Sequence, residues 1–481
     1  MKLSQICQGI CHCPEMGEDA DVLGLSADSR EIKPGYIFAA LKGENFDGTQ
    51  FIPSALEKGA IGILCDEDTK TSADIPLLPH DNPRLALALM ARRFYPEQPD
   101  ILMAVTGTNG KSSVVSFMRQ IWSHLGLNAA SLGTIGIEMA EGHTPLSHTT
   151  PDPVGVSKIL SELSARHIDH VAFEASSHGL AQYRLHGLKV TAGGFTNISR
   201  DHLDYHKTFE DYFAQKMRLF EEVLEPGSVA VISADHACSQ EVMDRANAYG
   251  LVVLSVGEKG EALRLLNNDV RDQVQNLTIQ CEGERYDICL PLAGSFQVEN
   301  ALVAAGLVIA GGASPSQVLP MLERLQGAKG RLEKIGLSTT GAPIFVDYAH
   351  TPDALENALS ALRPITKNKL VTIFGCGGDR DKGKRPLMGR VAEKNSDRVI
   401  VTDDNPRSEN PDQIRTEIMS GCPSAENIGD RREAISHGIA SLEQGDILLI
   451  AGKGHETGQI IGDKILPFSD TDVVLELLDS V

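Results

Sequence analysis

Short continuous apolar runs, each closed by glycine or polar residues, recur along the chain and alternate with stretches of helical periodicity. Residues 36–41 and 61–64 read as strands with a helical stretch at 54–58 between them, and 85–95 reads as a helix closed by Pro96. Further on, strand-like runs fall at 101–105, 170–174, 193–197 and 229–232, with helical segments to about residue 125 and over 209–223. The last section repeats the alternation with runs at 344–347, 370–374, 398–402 and 447–450. Strands apolar at every position belong to a mostly parallel sheet covered on both faces. The pattern predicts an α/β protein in three sections: 1–96, a small α/β domain; 97–330, built on a mostly parallel sheet; and 331–481, a second such unit.

Composition narrows the class. A chain of 481 residues with 42% hydrophobic and 23% charged residues is that of a globular protein of two to four domains. The longest apolar stretch, 301–310, contains a glycine and is about half a bilayer span, so no membrane insertion is expected. The N-terminus lacks the apolar core of a secretory signal, which predicts a cytoplasmic address. A net charge of −21 opposes nucleic acid and anionic membranes as partners, and leaves anionic small molecules wherever Lys and Arg cluster. Nine cysteines without regular spacing argue for reduced thiols. Cys7, Cys11, His12 and Cys13 form one cluster; a metal site there lacks a second pair at zinc-finger spacing, and incidental thiols are the simpler reading.

Chemistry-bearing residues collect just after the strands, where ligands gather in doubly wound sheets. Gly107, Thr108, Asn109, Gly110, Lys111, Ser112 and Ser113 join a strand to a helix. Glycines let the backbone fold round a phosphate, Lys111 neutralises charge, and the Ser112 hydroxyl suits Mg²⁺. The glycines stand closer than in the common P-loop, and an ordinary strand–turn–helix with a surface lysine is the bland alternative. Glu174 at a strand end is a natural Mg²⁺ ligand or a solvated acid, with Ser176, Gln182 and Arg184 nearby to hold an anionic substrate. The segment 196–206 is dense in His and Asp, including His202, and suits metal binding or proton handling. Lys216 lies on a helix, where most lysines are simply solvated. Asp347 could accept from ribose hydroxyls, a glycine-rich segment with four cations follows at 375–386, and polar segments follow the next strands at 404–407 and 452–456.

Taken together, 107–113, 174–184, 201–206, 347–352 and 452–456 resemble the Mur ligases, ATP-dependent amide-bond-forming enzymes of peptidoglycan synthesis, over nearly the whole length. The short glycine spacing is also that family's. The segment Asp404, Asn405, Pro406, Arg407 is similar to the signature of members that add meso-2,6-diaminopimelate to UDP-N-acetylmuramoyl-L-alanyl-D-glutamate; lysine-adding members lack the arginine. The resemblance implies a UDP-binding N-terminal domain, a central ATPase domain and a Rossmann-like C-terminal ligase domain. It implies that residues 107–113 with Asn300, Arg331 and Asp347 bind ATP. Ala27, Ser29, Glu44, Asn45 and Phe46 would hold the uridine nucleotide, and His148, Thr149, Thr150, Ser176, Gln182 and Arg184 the muramyl-dipeptide portion. Arg380, Asp404 to Arg407, Gly452 and Glu456 would hold diaminopimelate. Lys111, Glu174, His202 and Lys216 are implied as catalytic, with Mg²⁺ on Ser112, Glu174, His202 and Lys216, the last as its carbamate. His148 departs from the family's usual asparagine, and Ser112–Ser113 from its commoner threonines. A monomer is the expected form.

The implied reaction converts the D-glutamate γ-carboxylate into an acyl phosphate, which the amine of diaminopimelate then attacks. Rivals are an L-lysine-adding member, another ATP-dependent ligase of the superfamily such as a folylpolyglutamate synthase, and a non-catalytic nucleotide-binding regulator. Arg407 stands against the first; Ser26–Arg30 with Asp404–Arg407 stand against the second. The third need not keep Glu174, His202 and Lys216 together.

Overall fold

Along the first strands, neighbouring residues point to opposite faces and both faces are buried. Ile37 and Leu64 pack with Leu3, Ile6, Leu87 and Met90, while Phe38 and Ile63 pack with Ile32, Ile52 and Ala55. The computed structural model describes residues 1–481 except 15–18, 44–46, 71–74, 147, 200–204, 272–273 and 480–481. Its contacts divide it into two compact units, Met1–Leu263 with Val303–Val318, and Arg264–Leu302 with Leu319–Val481.

The first unit carries two sheets. Strands Gly24–Ser26, Tyr36–Ala39, Gly62–Cys65 and Leu77–Pro79 pair in parallel in chain order. Helix Pro83–Phe94 follows, started by the Asn82 side chain and a proline in its first turn, which places its start before residue 85. In the larger sheet, strands Val252–Gly257, Val229–Ser233, Ala192–Phe195, Ile101–Thr106, His170–Glu174 and Ala129–Gly133 lie side by side, all parallel. Gly136–Met139 and Gly142–Thr144 extend it as antiparallel strands. The chain leaves Ile101–Thr106 toward one side of the sheet and later returns to the other. That strand therefore sits at the switch point, where a crevice opens at its carboxyl end.

In the second unit, strands Glu333–Leu337, Pro343–Asp347, Ile447–Ala451, Leu370–Phe374, Arg398–Val401 and Glu426–Asn427 form a six-stranded sheet, the first strand antiparallel. Both faces are again buried: Phe345, Phe374 and Leu449 on one, Ile344, Ile373 and Ile450 on the other. A hairpin, Gly458–Ile461 with Lys464–Pro467, follows.

Some elements depart from the sequence pattern. Leu263–Arg271, Val274–Cys281 and Glu284–Leu290 form an antiparallel set within the stretch read as part of a mostly parallel sheet. Burial along Val274–Cys281 alternates strictly, the mark of a strand with one wet face. Helix Phe209–Arg218 ends in a wider π-type turn, Leu219–Val223, rather than running regularly to residue 223. Among the described residues, no helix is long and apolar enough to cross a membrane; the apolar stretch 301–310 lies within helix Ser295–Ala310.

Candidate active site

Strand Ile101–Thr106 delivers the chain into the turn at 107–110, and the end of the neighbouring strand closes it. The Thr196 hydroxyl donates to the Asn109 carbonyl at 2.6 Å, and the Asn109 N–H donates to Asn197 Oδ1 at 2.9 Å. The run read as a strand to 197 therefore stops at Phe195, because Thr196 and Asn197 hold this turn. A Cβ on Gly107 would overlap the Thr196 hydroxyl, and Gly110 has φ +87°, which glycine adopts readily just before helix Lys111–His124. Lys111 Nζ folds back to the carbonyls of Gly107 and Thr108, 2.8 Å from each. Buried Lys216 comes from helix Phe209–Arg218, donates to the Gly107 carbonyl at 2.7 Å and lies 4.4 Å from the Tyr212 ring centre. The solvated-lysine reading of Lys216 does not hold in this structure: it is 1% exposed.

Glu174, 2% exposed, faces this turn. Its Oε1 accepts from the Ser112 hydroxyl at 2.8 Å and from the Thr134 N–H at 2.7 Å, and Thr134 Oγ1 donates to Oε2 at 3.2 Å. A side chain on Gly133 would occupy the position of the Glu174 carboxylate. The network continues outward. Thr149 and Thr134 hydroxyls lie 3.0 Å apart, and the Thr150 hydroxyl lies 2.9 Å from Ser176 Oγ while also donating to the Glu174 carbonyl. Arg184 donates to the Thr150 carbonyl and, at 2.8 Å, to Gln182 Oε1; Gln182 in turn donates to the Tyr205 hydroxyl. Thr149, Thr150, Ser176, Gln182 and Arg184 are thus brought together beside the glycine turn. His148 is exposed. Ala27 and Ser29 follow strand Gly24–Ser26, where Asp28 and Arg30 form an ion pair and Lys58 donates to the Ser29 carbonyl at 2.8 Å. His202, Glu44, Asn45 and Phe46 lie outside the described residues.

The second unit gathers its own set. At the end of strand Pro343–Asp347, Asp347 accepts the Leu332 and Ala349 N–H groups, yet burial raises its carboxyl above the ordinary range. Arg331 lies 4.6 Å from the Tyr348 ring centre, and buried Asn300 donates to Gln297. After strand Arg398–Val401, Asp404 and Asn405 are buried. Asn405 donates to Glu456 Oε2 at 2.9 Å, and the fully buried Lys453 amine binds both residues. Gly452 approaches Asp404 so closely that a Cβ would press on its carboxylate. Arg407, at φ +51°, donates to the Gly378 carbonyl at 2.9 Å and is tied through its backbone to Ile460. Exposed Arg380 follows Asp379, whose carboxylate accepts from Ser408 Oγ at 2.6 Å. Arg385, without solvent exposure, pairs with Glu409 and Glu417 and reaches the Gly377 carbonyl. The loops at 375–381 and 404–409 are therefore cross-tied, and the expected diaminopimelate residues Arg380 and Arg407 sit on them.

Thr134, Tyr212, Lys453, Arg385 and Glu409 are absent from the sequence-based site. Thr134 was within reach, since it follows a strand; the run 129–133, Ala-Ala-Ser-Leu-Gly, lacks the β-branched residues that would mark one. Arg385 and Lys453 lie within the segments 375–386 and 452–456 singled out above but had no role assigned, and Tyr212 and Glu409 are side chains on a helix and a turn, which sequence patterns assign to core or solvent. Among the described residues, no group of three or more His, Cys, Asp or Glu is arranged to hold a metal, the Cys7, Cys11, His12, Cys13 cluster included.

Three family models match the chain in order: "Mur ligase family, catalytic domain" over 21–95, "Mur ligase middle domain" over 105–308 and "Mur ligase, glutamate ligase domain" over 330–454. A UDP-N-acetylmuramoyl-L-alanyl-D-glutamate–2,6-diaminopimelate ligase of Bradyrhizobium diazoefficiens is 54% identical over 96% of this chain and 95% of its own. A relative of the same name from Mesorhizobium japonicum is 49% identical over 95% and 94%. A solved structure of a ligase of that name matches with a TM-score of 0.72 at 31% identity, covering 100% of this chain and 99% of its own. With the glycine turn, the buried Ser112–Glu174 contact and these matches in hand, the chain belongs to the Mur ligase family.

Proposed function

We propose that the protein is an ATP-dependent ligase that joins meso-2,6-diaminopimelate to the D-glutamate γ-carboxylate of UDP-N-acetylmuramoyl-L-alanyl-D-glutamate, a step of peptidoglycan synthesis in the cytoplasm. The observation that carries this reading is the buried chain of contacts from the glycine turn through Ser112 and Glu174 to Thr150, Ser176 and Arg184. A phosphate-binding turn and a substrate-carboxylate cradle are thereby held in one network. The names of relatives near 50% identity over almost their full length support the substrates.

ATP would lie against residues 107–113, and Asn300, Arg331 and Asp347 are assigned to ATP on the family resemblance. Lys111 would offset the repulsion between the γ-phosphate and the substrate carboxylate. Mg²⁺ fits the residues present: Ser112 and Glu174 offer hard oxygen donors 2.8 Å apart, and the carboxylate is held in place by Thr134. When bound, the ion neutralises phosphate charge. Lys216 fits as its carbamate, whose oxygens suit that ion as an ammonium does not. His202 is assigned to the same ion on the family resemblance. The muramyl dipeptide would lie on His148, Thr149, Thr150, Ser176, Gln182 and Arg184, with its uridine on Ala27, Ser29 and residues 44–46. Diaminopimelate would be held by Arg380, Asp404 to Arg407, Gly452 and Glu456. In this arrangement Arg407 pairs with the carboxylate that lysine lacks. The buried Lys453 keeps Asn405 and Glu456 in register for the amino acid.

Phosphate release measured with ATP, the UDP-dipeptide and a panel of amines tests the reading. Release should require the UDP-dipeptide and diaminopimelate together, with L-lysine a very poor substitute. Equal rates with lysine would move the assignment to a lysine-adding ligase, and ATP binding without amine-dependent release would indicate a non-catalytic protein.

A further inference from the structure

Three of the nine cysteines fall within seven residues at the N-terminus, and the ligase reading uses none of them. Helix Leu3–Cys7 ends in a turn through Gly9, at φ +68°, and the Cys11 N–H donates to the Cys7 carbonyl at 3.1 Å. Cys11 is thereby set one turn above Cys7, with Cys13 two residues further on. The cysteines differ in access. Cys7 is 1% exposed within the core under the first sheet, whereas Cys11 and Cys13 are half-buried at its edge. Cys11 also borders a groove of about 530 Å³ whose lining includes His12, His80 and Asp81.

A cation distinguishes Cys11 from Cys13. The Arg93 guanidinium donates to the carbonyls of Gln5, Ile6 and Gln8 at 3.1, 2.9 and 2.6 Å, which fixes it at the end of the short helix. The hydrogen bond from Cys7, reinforced by the Arg93 charge, pulls the Cys11 thiol below its ordinary pKa. Burial pushes the Cys13 thiol up, and its contacts with Cys11 push the Cys7 thiol up. A half-accessible thiol that ionises readily, one helical turn from a buried thiol that does not, is the arrangement of an attacking and a resolving cysteine.

We propose that Cys11 and Cys7 form a reversible oxidation site, with Cys11 as the attacking sulfur and Cys7 as the resolving one. With a peroxide as oxidant, the Cys11 thiolate attacks one peroxide oxygen. The S–O bond forms, the O–O bond breaks, sulfur loses two electrons, and the departing hydroxide takes a proton to leave as water. The Cys7 sulfur then displaces hydroxide from the Cys11 sulfenic acid. The S–S bond forms, the S–O bond breaks, and the Cys7 proton leaves with the hydroxide as a second water. Two thiols and one hydrogen peroxide become one disulfide and two waters.

Hydrogen peroxide treatment of the folded, full-length protein, followed by alkylation and peptide mass mapping, tests this. In the native chain and in Cys13→Ser, the N-terminal peptide should lose the mass of two hydrogens and recover it with dithiothreitol. Cys11→Ser should show no such loss, and Cys7→Ser should stop at a Cys11 sulfenic acid that dimedone traps. If Cys7→Ser does not fold, the contrast between Cys11→Ser and Cys13→Ser decides alone. Alkylation of the native protein gives a second readout: Cys11 should react faster than Cys289, although Cys289 is the more exposed. Faster reaction at Cys289, loss of the disulfide in Cys13→Ser, or free Cys7 and Cys11 thiols after peroxide would each overturn the proposal.

Discussion

Lys111 and Lys216 donate to the same oxygen, the carbonyl of Gly107, at 2.8 and 2.7 Å. Two amines from different helices thus converge on one backbone atom of the glycine turn, where Lys216 is buried. Two adjacent cations repel unless an anion lies between them or one changes its charge. In the proposed reaction, a bound phosphate would supply the first remedy and carbamylation of Lys216 the second.

Lys111→Ala should lower ATP-dependent phosphate release at least about 100-fold, the scale seen when one charge-stabilising donor is removed. Its melting temperature should stay close to that of the native chain, because the side chain donates to carbonyls of the turn rather than packing in the core. Turnover near the native rate in a folded variant would remove the phosphate role.

Lys216→Ala should be nearly inactive, and small carboxylic acids in the buffer should restore part of the activity by replacing the carbamate oxygens. Mass spectrometry of the intact protein under carbon dioxide gives an independent readout. Absence of both the adduct and the rescue, in a folded variant, would leave Lys216 as a structural amine.

Gly133→Ala places a methyl group where the Glu174 carboxylate lies. The carboxylate must then leave Ser112, at an overpacking cost of about 1–3 kcal/mol. Activity should fall and the Mg²⁺ concentration for half-maximal rate should rise. An unchanged Mg²⁺ requirement would separate Glu174 from the metal.

Arg407→Ala should raise the Michaelis constant for diaminopimelate while that for ATP changes little. Losing one side of a desolvated Arg–carboxylate pair costs ~2–5 kcal/mol, or about 30- to several-thousand-fold at 1.4 kcal/mol per decade. Because Arg407 also holds the Gly378 carbonyl, a melting curve must accompany the kinetics. A diaminopimelate-to-lysine preference within a few-fold of native would refute the specificity role.

Glu409 ties the loop at 375–381 to the loop at 404–409, and the Arg385 guanidinium, helped by the Asp379 N–H, holds its carboxyl at about 2. A depressed carboxylate stabilises the fold fully above its unfolded value, about 4.3, and progressively less as pH falls toward 2. The difference in denaturation midpoint between the native chain and Glu409→Gln should therefore be constant above about pH 5 and shrink between about pH 4.5 and 2. A difference as large at about pH 3 as at about pH 6 would show that the Arg385–Glu409 pair is not its source.

The α/β class, the glycine turn and the strand-end location of Glu174, Asp347 and residues 404–407 were legible in the sequence. Each rests on a local pattern: an unbroken apolar run, then the residues that follow it. The helix read from residue 85 was legible in its apolar periodicity and its closing Pro96, whereas its start at Pro83, capped by Asn82, was not read from the sequence. What only the folded chain decided was non-local. Strand Ile101–Thr106 lies between Ala192–Phe195 and His170–Glu174, an order fixed by which crossover packs on which face. The convergence of Lys216 on Gly107 spans 109 residues, and a lysine that reaches such a carbonyl has the same sequence context as one in solvent. The Arg385–Glu409 pair and the Asn405–Lys453–Glu456 contacts likewise join separate loops. Apolar periodicity records which residues leave water, but charged side chains are buried only when another segment brings their partners, and that meeting is settled by tertiary packing.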